Sequence, residues 1–115
     1  MNIDKDLVAA MATPLVLAIL VEGTSYGYAI LKRVRELSDG DLEWTDGMLY
    51  PLLHRLERLD YVAAEWGSSP EGRRRRYYRI TDGGRGQLAE QRRQWTTATR
   101  TLDNLWGMSS PVFGV

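Results

Sequence analysis

Apolar residues near the start of the chain recur at the three- and four-residue steps of an α-helix, which predicts a helix from about Asp4 to Val21. Pro14 lies inside this pattern and is expected to kink or divide the helix near residues 12–13, because proline has no N–H for the helical hydrogen bond. The apolar face consists of Leu7, Met11, Leu15, Ala18 and Val21.

Two further helices follow, and a turn-forming segment at residues 38–41 separates them. The second is predicted from Tyr26 to about Leu37, with Ser25 as its N-cap. The third is predicted to begin after Thr45 as N-cap, with Asp46 placed favourably for the helix dipole. Their apolar faces are formed by Tyr26, Ala29, Ile30, Val34 and Leu37, and by Leu49, Leu52, Leu53, Leu56 and Leu59.

A β-hairpin is predicted next, with a first strand over residues 61–66 and a second strand that ends at Ile80. The Gly-Ser-Ser-Pro sequence at residues 67–70 marks the turn between the strands. Tyr61, Trp66 and Tyr78 are interpreted as aromatic anchors that hold this hairpin on the core.

The last helix is predicted to begin after Thr81 and to run to about Trp106, and a helix of this length spans about 36 Å. Its apolar residues form a heptad-like seam with one polar break at Gln91. The seam is expected to face a second chain, the first helix of the same chain, or both. The candidate dimer-interface residues are Leu88, Trp95, Ala98, Leu102 and Leu105.

The net charge is zero, but the charges are unevenly distributed. Residues 1–46 hold four Lys/Arg and eight Asp/Glu, a net of −4, whereas residues 47–93 hold ten Arg and six Asp/Glu, a net of +4. Because binding responds to the local field rather than to the sum, a nucleic-acid partner is compatible with this composition.

Several classes of protein are disfavoured by composition. The chain has no cysteine and a single histidine, His54, so no disulfide, metal site, cofactor or catalytic triad is predicted. The glycine-rich segment at residues 82–86 lacks the Lys-Ser/Thr of a phosphate-binding loop, and an enzyme is not expected. No segment is long enough to span a bilayer and residues 1–5 do not resemble a signal peptide, so a cytoplasmic protein is expected.

Two segments carry chemistry that suits nucleic acid. Five arginines fall between Arg73 and Arg79, and their planar, permanently charged groups match phosphate oxygens, although such a run can also be a solvated face. The third helix has an apolar back and a front with an aromatic residue, His54 and two arginines. This front fits a recognition helix in a major groove, and an ordinary amphipathic helix is the alternative.

Three helices followed by a basic hairpin form the winged helix-turn-helix arrangement. The predicted fold class is therefore mainly α with a small β-hairpin, a winged helix-turn-helix plus a long C-terminal dimerisation helix. Residues 1–81 are assigned to the DNA-binding domain, residues 82–107 to the dimerisation helix, and residues 108–115 to a tail.

The chain resembles the PadR family of transcriptional regulators, in particular its small subfamily with one C-terminal helix. The resemblance rests on Tyr-Gly-Tyr at residues 26–28, Leu-Tyr-Pro-Leu-Leu-His-Arg-Leu-Glu at residues 49–57 and Gly-Arg-Arg-Arg-Arg-Tyr-Tyr-Arg-Ile-Thr at residues 72–81. It implies a homodimeric repressor that binds a pseudo-palindromic operator in double-stranded DNA. The candidate DNA-binding residues are Ser25, Tyr26, Thr45, Gly47, Met48, Tyr50, Pro51, His54, Arg55, Arg73, Arg74 and Arg75.

Trp95 is similar in position to a tryptophan at which some multidrug-responsive members stack flat aromatic compounds between two protomers. The resemblance therefore suggests a small aromatic effector, with Leu7 and Met11 as further ligand-binding residues, and simple packing of the indole as the alternative. Thr99 stands where an acid would favour a cationic drug, which argues against a cationic ligand and leaves open a neutral or phenolic ligand, or none.

A winged-helix module that binds proteins without specific DNA binding is the alternative function. Such a module would not need the arginine-rich hairpin, and any DNA binding it showed would not depend on salt. The sequence does not specify the operator, the regulated genes, the effector or the direction of regulation.

Overall fold

The computed structural model describes residues 1–107, which form four α-helices and a three-stranded antiparallel sheet. The predicted tail at residues 108–115 lies outside the described residues. In chain order the elements are α1 (Lys5–Val21), β1 (Ser25–Tyr26), α2 (Gly27–Leu37), α3 (Asp46–Arg58), β2 (Val62–Ser68), β3 (Arg74–Ile80) and α4 (Asp82–Trp106). The fold class predicted from the sequence, mainly helical with a small hairpin, is confirmed.

Helix α1 is continuous through Pro14, and the expected division near residues 12–13 is wrong. The side chain of Asp4 caps the helix by accepting a hydrogen bond from the backbone N–H of Asp6 at 3.0 Å. Proline removes only one helical hydrogen bond, and burial of other apolar residues stabilises the helix. The buried residues of α1 are Ala12, Val16, Leu17, Ile19 and Leu20. The apolar face predicted from the sequence is instead half-buried or exposed.

The start of α2 differs from its prediction. Ser25 does not cap the helix, because it belongs with Tyr26 to the short strand β1, which pairs with β3 opposite Tyr78 and Tyr77. Tyr26 occupies the N-cap position of α2 without a side-chain hydrogen bond. Thr45 occupies the predicted N-cap position of α3, also without a side-chain hydrogen bond.

The sheet has the strand order β1-β3-β2, so the arginine-rich strand lies in the centre. Strand β2 pairs with β3 in a register that places Val62 opposite Ile80 and Trp66 opposite Arg76. Val62, Tyr78 and Ile80 are buried and join the apolar faces of the first three helices. The base of the hairpin is therefore fixed to the core, while its tip extends from it.

Hydrogen bonds from Thr81 to the connection between α3 and β2 fix the start of α4, and we call this contact the joint. The hydroxyl of Thr81 donates to the backbone oxygen of Asp60 at 2.6 Å and accepts from the N–H of Gly84 at 3.0 Å. The N–H of Thr81 donates to the backbone oxygen of Tyr61 at 3.1 Å. Gly84 is buried against Tyr61 so closely that a Cβ would overlap its carbonyl oxygen and lie 2.8 Å from Ile80 Cγ1.

We expect Gly84→Ala to lower the free energy of unfolding by about 1–3 kcal/mol, because the added methyl group meets rigid backbone. Gly86→Ala is the matched control. A Cβ at Gly86 has no neighbour within 4 Å, and alanine is the better helix former by up to about 1 kcal/mol. Urea unfolding followed by circular dichroism measures both. Equal stability of the two variants would contradict the close packing of this joint.

Helix α4 packs on α1 over its first half and extends beyond the core over its second half. Leu88 is buried, whereas Leu102, Leu105 and Trp106 are 42%, 75% and 50% exposed. The described residues extend over 60 × 29 × 22 Å, and a 25-residue helix accounts for about 37 Å of the long dimension. Within residues 1–107, none of the helices has the length and apolar content needed to cross a membrane.

Candidate nucleic-acid interface

A concave surface lies between the start of α2, the front of α3 and the hairpin, and its cavity volume is about 870 Å³. We call it the wing groove. It combines aromatic rings with arginines, which is the composition that suits a polyanion with exposed planar groups. The residues that line it are Tyr26, Gly27, Tyr28, Tyr50, His54, Trp66, Glu71, Arg74, Arg75, Arg76 and Tyr78.

The contact between α2 and α3 at the wing groove depends on a glycine. A Cβ at Gly27 would overlap the phenol oxygen of Tyr50, so only glycine lets the Tyr50 side chain lie across the start of α2. Tyr50 remains 36% exposed, and its ring centroid is 6.5 Å from that of His54. The packing of Tyr50 on α2 therefore sets the position of an aromatic side chain at the front of α3.

The front of α3 is exposed over most of the predicted positions. The buried residues Leu49, Leu53 and Leu56 form its back. The exposed front consists of Gly47, Tyr50, Pro51, His54 and Arg55.

Five of the twelve predicted DNA-binding residues line the wing groove, namely Tyr26, Tyr50, His54, Arg74 and Arg75. Four others are exposed but do not line it, namely Gly47, Pro51, Arg55 and Arg73. The remaining three also lie outside it. Met48 is half-buried against the core and lines a separate cavity with Trp44. Ser25 is half-buried in β1, opposite Tyr78. Thr45 is exposed at the start of α3 but does not line the wing groove.

On one face of the hairpin, Arg75 stacks on aromatic rings. Its guanidinium carbon lies 3.7 Å from the ring centroid of Tyr26 and 5.9 Å from that of Tyr77. The two tyrosine rings meet edge to face with centroids 5.9 Å apart, and the Tyr77 hydroxyl donates to the backbone oxygen of Ser68 at 3.2 Å. Gly67 leaves room for this ring, since a Cβ there would lie 2.9 Å from Tyr77 Cε2.

On the opposite face of the hairpin, two arginine side chains contact the indole ring of Trp66. The guanidinium carbons of Arg74 and Arg76 lie 4.5 Å and 5.3 Å from the centroid of this ring. Arg76 also donates to Glu57 of α3 at 3.1 Å, which ties the hairpin to that helix. The interpretation of Trp66 as a core anchor is wrong, because its side chain is 56% exposed, whereas Tyr78 is 1% exposed and does anchor the hairpin.

The arginines of the hairpin differ in whether an acidic side chain of the same chain neutralises their charge. Arg76 is paired with Glu57, and both side chains are about one-third exposed. Within residues 1–107, no salt bridge holds Arg73, Arg74 or Arg75. These three guanidiniums are therefore free to meet an external anion, and Arg79 of the same strand likewise has no salt bridge among residues 1–107.

The tip of the hairpin is a hydrogen-bonded turn that presents Arg73. The N–H of Ser69 donates to the backbone oxygen of Arg73 at 2.7 Å, and the hydroxyl of Ser69 accepts from the N–H of Arg73 at 3.1 Å. Gly72 adopts a φ of 85°, which favours glycine at this position. The exposed acid Glu71 lies in the same turn and lines the wing groove.

Tyr78 forms an un-ionised floor of the wing groove. Burial raises the pKa of the Tyr78 phenol above its ordinary value, because a phenolate would lose solvation there. Among the described residues, no cluster of His, Asp or Glu is arranged to hold a metal ion.

A second cavity, of about 440 Å³, lies between α1 and α4, and we call it the helix groove. Trp95, Leu7 and Met11, the predicted ligand-binding residues, meet there. Arg92 is its only charged lining residue among residues 1–107, and Thr99 donates its hydroxyl to the backbone oxygen of Trp95 at 2.9 Å. The remaining lining residues are Pro14, Leu15, Ala18 and Leu88.

The sequence did not single out Trp66, Tyr28 or the Glu57–Arg76 pair as parts of the site. Trp66 could have been found by pairing the two predicted strands, because the register places it directly opposite Arg76. The Glu57–Arg76 contact joins residues 19 positions apart on different elements, so it required the fold.

Three helices followed by a hairpin with a basic face define a winged helix-turn-helix protein. The sequence profile of the PadR-like family of transcriptional regulators matches residues 16–90, which include α2, α3 and the whole hairpin. The chain belongs to this family, and it is a transcriptional regulator rather than an enzyme.

Two solved structures of regulators share the fold, and a further regulator is similar in sequence. A transcriptional regulator from Clostridium thermocellum is 29% identical, with a TM-score of 0.80, over 87% of this chain and 97% of that chain. A PadR family transcriptional regulator from Eggerthella lenta is 35% identical, with a TM-score of 0.73, over 87% of this chain and 85% of that chain. A transcriptional regulator of Mycobacterium tuberculosis is 44% identical over 59 residues, which are 51% of this chain and 54% of that protein.

Proposed function

We propose that the protein is a repressor that binds a pseudo-palindromic DNA operator as a homodimer. The observation that carries the proposal is the wing groove, where Tyr50 and His54 of the exposed α3 front line one concavity together with Arg74 and Arg75 of the hairpin. Clustered arginines without internal acid partners suit phosphate, and a narrow polar helix front suits base edges. Membership in a family of transcriptional regulators supports this function.

The two elements have different roles in this proposal. Tyr50, Pro51, His54 and Arg55 are exposed on the front of α3, where they reach base edges or the adjacent backbone in the major groove. Arg73, Arg74 and Arg75 contact phosphates or the minor groove. Tyr26 of β1, on which Arg75 stacks, makes the same kind of contact. Specificity then depends mainly on α3, and affinity depends mainly on the hairpin.

Homodimer formation is supported by the second half of α4. Leu102 and Leu105 are exposed in this chain, and they continue the seam that begins at the buried Leu88. A second α4 would remove these side chains from water. The dimer would place two copies of α3 in successive major grooves, about 34–36 Å apart.

Fluorescence anisotropy with the DNA upstream of the protein's own gene tests the proposal, with an unrelated duplex of equal length as the control. We expect tighter binding to the upstream DNA and, on both duplexes, a fall in affinity as salt rises. No binding, or binding that does not respond to salt, would contradict the proposal and favour a protein-interaction module.

We further propose that a neutral or phenolic aromatic effector binds the helix groove beside Trp95 and weakens DNA binding. The support is an apolar groove with an indole wall and with α1, including Leu7 and Met11, on its other side. Stacking on the indole would contribute about 0.5–1.5 kcal/mol beyond area burial. The effector must bind more tightly to a protomer arrangement that does not fit DNA. Equal affinity for both arrangements would leave the equilibrium between them unchanged.

We expect planar phenolic compounds to quench tryptophan fluorescence in the wild type, and Trp95→Ala to abolish that quenching while DNA binding persists. Trp106→Ala serves as the control, because Trp106 lies outside the lining of the helix groove. Quenching that survives in Trp95→Ala would place the ligand elsewhere. No response across an aromatic panel would leave Trp95 as a packing residue.

A further inference from the structure

Trp66 is an exposed tryptophan that contacts two charged side chains. It lies on β2 directly opposite Arg76, and Arg74 lies two residues before Arg76 on the same face of β3. Both guanidiniums lie within cation–π distance of the indole, at 4.5 Å and 5.3 Å. An indole that is 56% exposed contributes little to the core, so its position needs another explanation.

Arg76, one of these two arginines, is also held by a residue of α3. Glu57 of α3 accepts a hydrogen bond from Arg76 at 3.1 Å. The contacts therefore run from the recognition helix through Glu57 and Arg76 to Trp66, and from Trp66 to Arg74. Arg74 has no acid partner within residues 1–107, and its guanidinium contacts the Trp66 indole instead.

Stacking orders a guanidinium without using its hydrogen-bond donors. The five N–H donors of arginine lie in the plane of the group, whereas the ring contacts its face. Immobilising a long side chain on binding costs conformational entropy. An arginine that is already ordered avoids much of this cost and still presents its donors to phosphate.

We propose that Trp66 is a positioning residue for DNA binding, which orders Arg74 against the hairpin so that its donors face the phosphate backbone. This inference rests on the proposed DNA-binding function. Trp66 does not need to touch DNA, and its effect passes through Arg74. The same contacts hold the hairpin at a defined distance from α3 through Arg76 and Glu57.

The test compares Trp66→Leu with Trp66→Phe, because leucine keeps apolar bulk but has no π face, whereas phenylalanine keeps a ring. Binding to a mixed-sequence 25-base-pair duplex is measured, since phosphate contacts do not require an operator. Because a dimer carries this indole twice, we expect Trp66→Leu to bind about five- to thirtyfold more weakly. Trp66→Phe should stay within about threefold of the wild type.

A double-mutant cycle distinguishes positioning from general damage to the hairpin. In an Arg74→Ala background, Trp66→Leu should lower the logarithm of the DNA affinity by less than half as much as it does in the wild type. The reason is that the arginine positioned by Trp66 is no longer present. Urea unfolding midpoints of the leucine and phenylalanine variants that equal the midpoint of the wild type show that the fold is intact. In DNA-free protein, the Nε–Hε NMR signal of Arg74 should move on Trp66→Leu, since the ring current of the indole is removed.

The outcomes separate the two hypotheses. A wild-type protein that binds no duplex would overturn the proposed function and this inference together. A wild-type protein that binds, with a leucine variant that binds equally well, would overturn the inference alone. A loss that is undiminished in the Arg74→Ala background would likewise overturn it, because Trp66 would then act through another group.

Discussion

Replacing Arg73, Arg74 and Arg75 together by alanine is expected to weaken binding to every duplex sequence by about 100- to 1000-fold. These arginines have no acid partner among residues 1–107, so their charge is available to phosphate. A dimer loses six of them, at about 0.5–0.7 kcal/mol each for exposed ion pairs. The slope of log affinity against log salt should fall by about 0.9 for each phosphate that the variant no longer neutralises.

The control removes the same charge from other surfaces. Lys5→Ala, Arg93→Ala and Arg100→Ala change exposed residues of α1 and of the α4 face opposite the seam. Anisotropy titrations at several salt concentrations measure both triple variants. If the control weakened binding as much as the hairpin variant, net charge rather than the wing groove would explain the affinity.

Replacing Leu102 and Leu105 together by glutamate is expected to convert a dimer into monomers and to weaken operator binding by at least about 100-fold. The two leucines are exposed on one seam of α4, and four carboxylates in a dimer interface would lose solvation and repel one another. A monomer reads one half-site, so it loses the combined affinity that comes from reading two together. Sedimentation equilibrium at micromolar concentration measures the association.

Thr97→Glu with Asn104→Glu is the matched control, because both residues are exposed on α4 and lie outside the seam. This variant adds the same charge and should remain a dimer. A wild-type protein that sediments as a monomer would contradict the proposed assembly. So would a Leu102/Leu105 variant that stays dimeric.

Most of the helices could be predicted because their apolar periodicity is strong. Helix α1 was predicted from Asp4 and begins at Lys5, and the predicted start of α4 after Thr81 is confirmed. Strand β1 was missed because two residues carry no alternation, and because Ser25 before an apolar stripe resembles a helix cap. Its strand conformation comes from pairing with β3, a contact between residues about 50 positions apart.

The candidate site could be predicted as a set of residue types, but not as a set of contacts. The arginine run and the helix front pointed to the two surfaces that form the wing groove. Sequence could not show which arginines are free, because the pairing of Arg76 depends on how the hairpin lies against α3. Met48 was assigned to the front, but rotation of α3 on the core makes it half-buried.

An NMR titration of isotope-labelled protein with a DNA duplex tests the central claim most directly, because it locates the bound surface residue by residue. We predict that amide shifts change in three segments: residues 26–28, residues 46–55 and the hairpin tip at residues 69–76. Amides of α1 should change little. Shift changes concentrated on the helix groove, or no changes at salt concentrations that permit binding, would contradict the account.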